Sequence, residues 1–255
     1  MLSGDSLRGG HHRDGVLQRL DARAKILGFI GLAVIVVSTP AREVWAFAAY
    51  AAVLALLVGL SRLSLGYVFR RLLVVVPFVL VVAVFLPFFD RAGAGGYSIG
   101  AVHLTTDGLV VLWNVTAKAV LSVSSMILLG GTTSFAEMLT GFQRLRVPQI
   151  FVLIVSFMHR YSFVFAEELR RMQRAMAARN YRARWLWNVP TLGRVLGSLF
   201  VRSFNRGERV YVAMISRGYD GTFSLAGRAV FGWAETAFLA SVIVVAVIVR
   251  VVAAV

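Results

Sequence analysis

The sequence predicts an all-α, polytopic membrane protein, with about five transmembrane helices joined to an amphipathic, arginine-rich helical module. Three observations predict it. Of 255 residues, 58% are hydrophobic and 15% charged, whereas soluble domains carry about a quarter charged residues. The apolar residues arrive in continuous blocks. The charge that remains, net +15, is gathered between those blocks.

A helix rises about 1.5 Å per residue, so crossing a hydrocarbon layer of roughly 30 Å takes about 20 residues. Residues 1–25 form a polar N-terminal tail without the short apolar core and small-residue cleavage site of a removable leader. Residues 26–131 are expected to hold four spans. Three are the uncharged runs Ile26–Ala41, Val44–Ser61 and Leu72–Phe89, and the fourth is Leu109–Gly131, interrupted by Lys118. The first needs Ala22–Lys25 at the interface to reach full length. Residues 132–232 form the basic module, and residues 233–255 the last span. Its uncharged core, Thr236–Val249, draws on Phe231–Glu235 at the interface. Strands are not expected, because the blocks lack the alternation of a membrane barrel. Gly95-Gly96 is the clearest turn signal.

Basic residues set the orientation, since cytoplasmic loops carry the excess of Lys and Arg. The N-terminal tail has Arg8, Arg13, Arg19, Arg23 and Lys25; the first loop offers Arg42 beside Glu43. The second loop has Arg62, Arg70 and Arg71, and the third, Asp90–Gly108, a single Arg91. The alternation reads inside, outside, inside, outside, which returns the fourth span to the cytoplasm. Residues 132–232 then carry fifteen arginines and no lysine. Within them Ile150–Ala166 is apolar but interrupted by His159 and Arg160, with Arg144, Arg146, Arg170, Arg171 and Arg174 on its flanks. A crossing there would export one basic flank, so it is expected to lie against the membrane or other helices. The N-terminus and residues 132–232 are thus placed in the cytoplasm and the C-terminus outside. The same charge could mark nucleic-acid binding, but no RNA- or DNA-binding motif accompanies it. Cysteine is absent, so neither disulfides nor thiolate ligands are available.

Two segments of the module read as helices with an apolar and a basic face. In Ala166–Arg179, Leu169, Met172 and Met176 recur at helical spacing, with Arg170, Arg171 and Arg174 elsewhere on the wheel. In Leu192–Arg217, Leu196, Leu199, Phe200, Ser203, Gly207, Val210, Tyr211 and Met214 share one side, with Arg202, Arg206 and Arg209 largely on the other. Trp185, Trp187 and Pro190 lie between them, where proline suits a helix start and indoles a membrane interface. The first helix ends Ala178-Arg179-Asn180 and the second Ser216-Arg217-Gly218. Glycine is the usual left-handed residue just past a helix, and asparagine the next best. Each arginine then stands at the negative end of a helix dipole. It either caps its own helix or forms a rigid cationic plug for an acidic groove on a partner.

The stretch Glu208-Arg209-Val210-Tyr211-Val212-Ala213-Met214-Ile215-Ser216-Arg217-Gly218-Tyr219-Asp220-Gly221 resembles the signature of the transmembrane T component of energy-coupling-factor transporters, closest to the CbiQ-type cobalt/nickel branch. Leu20-Asp21-Ala22-Arg23-Ala24-Lys25 is similar to that family's approach to its first span. Thr132-Thr133 with Phe135 and Leu139 resembles the end of its last span before the coupling region, and Glu167–Asn180 its first Ala-Arg-Gly helix. The resemblance implies a non-catalytic subunit that couples two ATP-binding cassette ATPases to a small substrate-capture subunit in the cell membrane. It implies that Arg179 and Arg217, flanked by Ala178, Asn180, Ser216 and Gly218, enter grooves on the two ATPases. Asn180 departs from the glycine usual there, and asparagine tolerates the left-handed conformation.

Other residues weigh less. Lys118 is a candidate intramembrane functional residue, or a lysine held by neighbouring helices or snorkelling to an interface. Its counter-charge would come from a partner or from Glu235. His11-His12 with Asp14 lacks the fixed spacing of a ligand set, so no metal site and no cofactor are expected. No phosphate loop, Gly-x-Ser-x-Gly elbow or His-Glu-x-x-His helix is present. The expected function is coupling in an importer of cobalt or nickel ions, or of a vitamin. The alternative is a membrane scaffold binding anionic lipid or a signalling partner.

Overall fold

A computed structural model of the chain describes residues 16–40, 43–61, 63–64, 66–74, 77, 79, 81, 96–99, 102–179, 189–222 and 232–253. After a short 3-10 turn, Val16–Arg19, come α1 (Ala22–Ser38), α2 (Val44–Ser61) and α3, described over residues 66–74. A hairpin of β1 (Gly96–Ile99) and β2 (Val102–Thr105) precedes α4 (Thr106–Thr132). Then follow α5 (Phe135–Arg144), α6 (Gln149–Ala178), α7 (Val189–Ile215) and α8 (Trp233–Val252). The chain forms two compact units, Met1–Gly141 with Arg228–Val255, and Phe142–Gly227.

In the first unit α1 is the central helix, packed against both α4 and α8. Its inward stripe, Ala22, Ile26, Phe29, Leu32, Ala33 and Val36, is buried, while Leu27, Ile30, Val34 and Val37 are exposed on the outside, as on a helix that faces lipid. Between apolar helices in lipid, small residues and polar bonds do the joining, and both occur here. A Cβ on Gly28 would sit 3.3 Å from the Phe238 ring, so α8 lies close. The Ser125 hydroxyl donates to the Phe29 carbonyl at 2.7 Å. The Tyr50 hydroxyl donates to the Ala246 carbonyl at 3.3 Å and lies 3.2 Å from the Thr39 hydroxyl.

Caps define the helix ends. The Asp21 carboxylate accepts the Arg23 amide at 2.9 Å and starts α1. A reciprocal box starts α5: the Glu137 amide donates to the Ser134 hydroxyl, and the Ser134 amide to the Glu137 carboxylate. At the other end of α5, Val147 donates to the Phe142 carbonyl and Arg146 to that of Gln143, the double bond of a Schellman stop. Its left-handed position is filled by Arg146, at φ 64°.

The structure keeps the second expected span to the residue, Val44–Ser61. α1 begins at Ala22, where Asp21 supplies the cap, and ends at Ser38, where Thr39 is extended before Pro40, so it is earlier than the apolar run at both ends. α4 is longer than its apolar run, starting at Thr106. Among the described residues α2, α4 from Val110, α6 and α8 are long and apolar enough to cross a membrane; most of Leu72–Phe89 lies outside them. The described spans are helical, as expected, and a short hairpin lies in the third loop, where Tyr97 pairs with Leu104 and Ile99 with Val102, short runs rich in β-branched and aromatic residues. One expectation is corrected: Ile150–Ala166 and Ala166–Arg179 are not separate elements, since α6 runs unbroken for 30 residues, with no glycine or proline to stop it.

Gly141 of α5 lies against the start of α1. A Cβ there would lie 2.8 Å from Ile26 Cδ1 and 3.1 Å from Ala22 Cβ. Gly141→Ala is therefore expected to destabilise the chain by about 1–3 kcal/mol through overpacking. Gly59→Ala, with nothing within 4 Å of the added carbon, is expected to be neutral or stabilising by up to about 1 kcal/mol. Arg146→Gly relieves a left-handed arginine and should stabilise by roughly 1 kcal/mol. Thermal unfolding of the detergent-solubilised chain measures all three.

Candidate functional site: two cationic helix ends

The second unit is built on α6 and α7, and their contacts run in opposite directions. Glu168 of α6 pairs with Arg202 of α7. Phe157, Tyr161 and Phe165 share a cleft of 280 Å³ with Ser203, Arg206 and Gly207. Leu153, Ser156 and Arg160 share one of 330 Å³ with Val210, Met214 and Arg217. As numbers fall along α6 they rise along α7, so the two helices are antiparallel. Their C-terminal ends, Arg179 and Arg217, lie at opposite ends of the pair.

Sequence pattern explains most of the pairing. Ser203, Gly207, Val210 and Met214, expected on one side of α7, do face α6. Leu169, Met172 and Met176 are half-buried, whereas Arg170, Arg171 and Arg174 are exposed. The expectation that Arg202 and Arg206 point away is corrected: Arg202 reaches Glu168 and Arg206 lines the cleft. Long side chains at the edge of a helix face bend their charged heads toward a partner while their stems cover apolar surface. Leu196, Phe200 and Tyr211, also on the apolar stripe, remain exposed.

The end of α7 has a complete stop. Tyr219 donates to the Met214 carbonyl at 3.1 Å and Gly218 to that of Ile215 at 2.9 Å. Gly218 is left-handed at φ 81°. This is the Schellman arrangement, and it makes Arg217 the capping residue, exposed at the tip. The Ser216 hydroxyl turns back to the Val212 carbonyl at 2.9 Å. Beyond the cap, both the amide and the hydroxyl of Thr222 donate to Asp220 Oδ1. Those bonds hold the Asp220 carboxyl below the usual carboxylate range, the Thr222 hydroxyl contributing most. The Arg-Gly-Tyr-Asp-Gly sequence is thus a rigid double turn.

Arg179 is the capping residue of α6, at φ −86° and ψ 17°, its amide bonded to the carbonyls of Met176 and Ala177. Asn180, Trp185 and Trp187 lie outside the described residues, as do His11, His12 and Asp14. Both capping arginines are exposed, and among the described residues neither has an ion-pair partner. Others nearby do: Arg171 binds Glu167 at 2.7 Å and Arg202 binds Glu168. Arg160, which the sequence reading used only as an interruption, stands in the cleft beside Arg217. Its position one turn from Phe157 on the face toward α7 was the signal.

Lys118 is half-buried in α4. On α8, Glu235 occupies the first turn and Arg250 the last. Among the described residues no group of three His, Asp or Glu side chains is placed to hold a metal ion.

A helical bundle with several membrane-length helices, and an antiparallel pair that displays two capping arginines, describe a multi-pass membrane protein. The family comparison places it further. The profile of the CbiQ family, described as cobalt transport protein, matches residues 14–226, and the chain belongs to that family. It is 27% identical over 220 residues to the energy-coupling factor transporter transmembrane protein EcfT of Streptococcus thermophilus, covering 82% of this chain and 83% of that protein. It is 32% identical over 96 residues to the cobalt transport protein CbiQ of Rhodobacter capsulatus, 36% of this chain and 38% of that protein. It is 30% identical over 131 residues to a putative fused cobalt transport protein CbiMQ of Methanocorpusculum labreanum. That match takes in 51% of this chain and 22% of the fused protein.

The cap geometry makes a direct prediction. Gly218→Ala should cost roughly 1–2 kcal/mol by placing a Cβ at positive φ, and Gly218→Asn less, because asparagine tolerates that region. Hydrogen exchange at the Gly218 and Tyr219 amides reads the effect.

Proposed function

We propose that this chain is the coupling subunit of an energy-coupling-factor importer, in which the arginine tips of α6 and α7 each dock into a separate cytoplasmic ATPase. The observation that carries the reading is the placement of Arg179 and Arg217 as exposed C-terminal caps at opposite ends of one antiparallel pair. A single groove could not accept both. Two ATPase subunits moving relative to each other would load the hairpin from its two ends and pass the displacement to the spans.

The charge pattern supports the N-terminus and residues 132–232 on the cytoplasmic side. α6 has the length and apolarity of a span, but crossing would place Arg144 and Arg146 or Arg170, Arg171 and Arg174 outside. It lies instead along the inner face or against partner helices, where its exposed Phe151, Ile154 and Met158 are covered. The chain is non-catalytic, and ATP is hydrolysed in the partners. A separate membrane subunit captures the substrate. Cobalt ions follow from the family description, nickel ions or a vitamin being the alternatives that the sequence resemblance implies, and the substrate is cargo held by that capture subunit.

Arg217→Ala and Arg179→Ala should leave the chain inserted in the membrane but weaken its hold on the ATPases by roughly 2–5 kcal/mol each, the usual cost of truncating a desolvated charged anchor. Co-purification from membranes and uptake of labelled cobalt measure this. A double variant that still retains both ATPases and transports normally contradicts the reading. Binding to anionic vesicles that tracks total arginine number, indifferent to Arg179 and Arg217, would favour a lipid-binding scaffold.

A further inference from the structure

Lys25 is a charged side chain buried to 1% exposure in the first unit, and the proposed docking chemistry does not use it. A buried ammonium is tolerated only where its protons are bonded and its charge is met. Its Nζ donates to the Gln18 carbonyl and to the Thr132 carbonyl, each at 3.1 Å. Thr132 is the last residue of α4, so its carbonyl is one of those a helix leaves unbonded at its negative end. The Thr132 hydroxyl does not compete, being turned to the Leu128 carbonyl at 2.8 Å. Burial weighs most against that charge, and the carboxylates of Glu137 and Asp21 offset it in part. Asp21 caps α1 and Glu137 closes the box that starts α5. The start of α1, the end of α4 and the start of α5 therefore meet around one ammonium. Gly141, one turn further along α5 than Glu137, packs against Ala22 and Ile26.

We infer that Lys25 is a positioning residue that locks the corner between α4 and α5 onto the start of α1. That corner is the last part of the first unit before the chain passes into the arginine-bearing segment, so a displacement entering through α5 is delivered to α1 and α4 together. This role in coupling rests on the function proposed above; the locking of the corner does not.

The natural absence of cysteine permits a direct test. Spin labels at Leu27→Cys on α1 and Ala136→Cys on α5, both exposed positions, report the corner in the full chain in a bilayer. A narrow distance distribution is expected with Lys25 and with Lys25→Arg, and a broad one with Lys25→Met. An equally narrow distribution for Lys25→Met overturns the inference, and so does loss of both variants from the membrane, which would leave Lys25 only a folding role. In the assembled transporter, Lys25→Met should keep its ATPases and hydrolyse ATP while substrate moved per ATP falls at least tenfold. An unchanged ratio overturns the coupling role. If the unaltered chain binds no ATPase, the function reading fails, and the label distances still decide whether Lys25 locks the corner.

Discussion

The antiparallel pairing of α6 and α7 is the constraint on which the functional arrangement depends. A helix has one C-terminal end, with unbonded carbonyls and a negative dipole that favours a cation. Two parallel helices would display two such ends side by side. Reversing one puts them at opposite ends, and the Glu168–Arg202 pair and the Met214 and Arg217 contacts with the start of α6 fix that reversal. The exposed ion pair contributes little stability by itself; its value is in setting register. Phe157 and Tyr161 of α6 line the same clefts as Gly207 and Val210 of α7, which places the apolar faces of the two helices opposite each other.

The first unit solves a different problem. Apolar helices in lipid gain nothing from hydrophobic burial against one another, so they are joined by close packing and by hydrogen bonds across helices. Ser125 to Phe29 and Lys25 to Thr132 tie α1 to α4, and Tyr50 to Ala246 ties α2 to α8. They give the bundle a defined register that a uniformly apolar interface would lack. On the coupling function proposed above, a load applied at α5 would be shared through these bonds and not absorbed locally.

Much of this was legible in the sequence because the signals were local. Val44–Ser61 is uncharged and flanked by charge, and the helix has those limits. Gly218 after Arg217 signalled a left-handed stop, and the stop is there. The Ser134-x-x-Glu137 box was equally readable from its spacing and was passed over beside the resemblance of Thr132-Thr133. What was illegible depended on distant residues. Nothing near Lys25 tells that its ammonium reaches a carbonyl 107 residues away. Arg202 reads as solvated until Glu168 is brought opposite it. The continuity of α6 was a misjudged local signal: His159 and Arg160 interrupt an apolar run, but neither interrupts a helix.

The most direct measurement of the central claim is the distance between labels placed at Ala178→Cys and Ser216→Cys in the otherwise cysteine-free chain. With Leu153 opposite Arg217, the antiparallel pairing predicts a separation of about 40 Å from the rise of α6 between those levels. A separation under about 20 Å would bring both tips to one end of the pair, and a single partner surface could then hold them both.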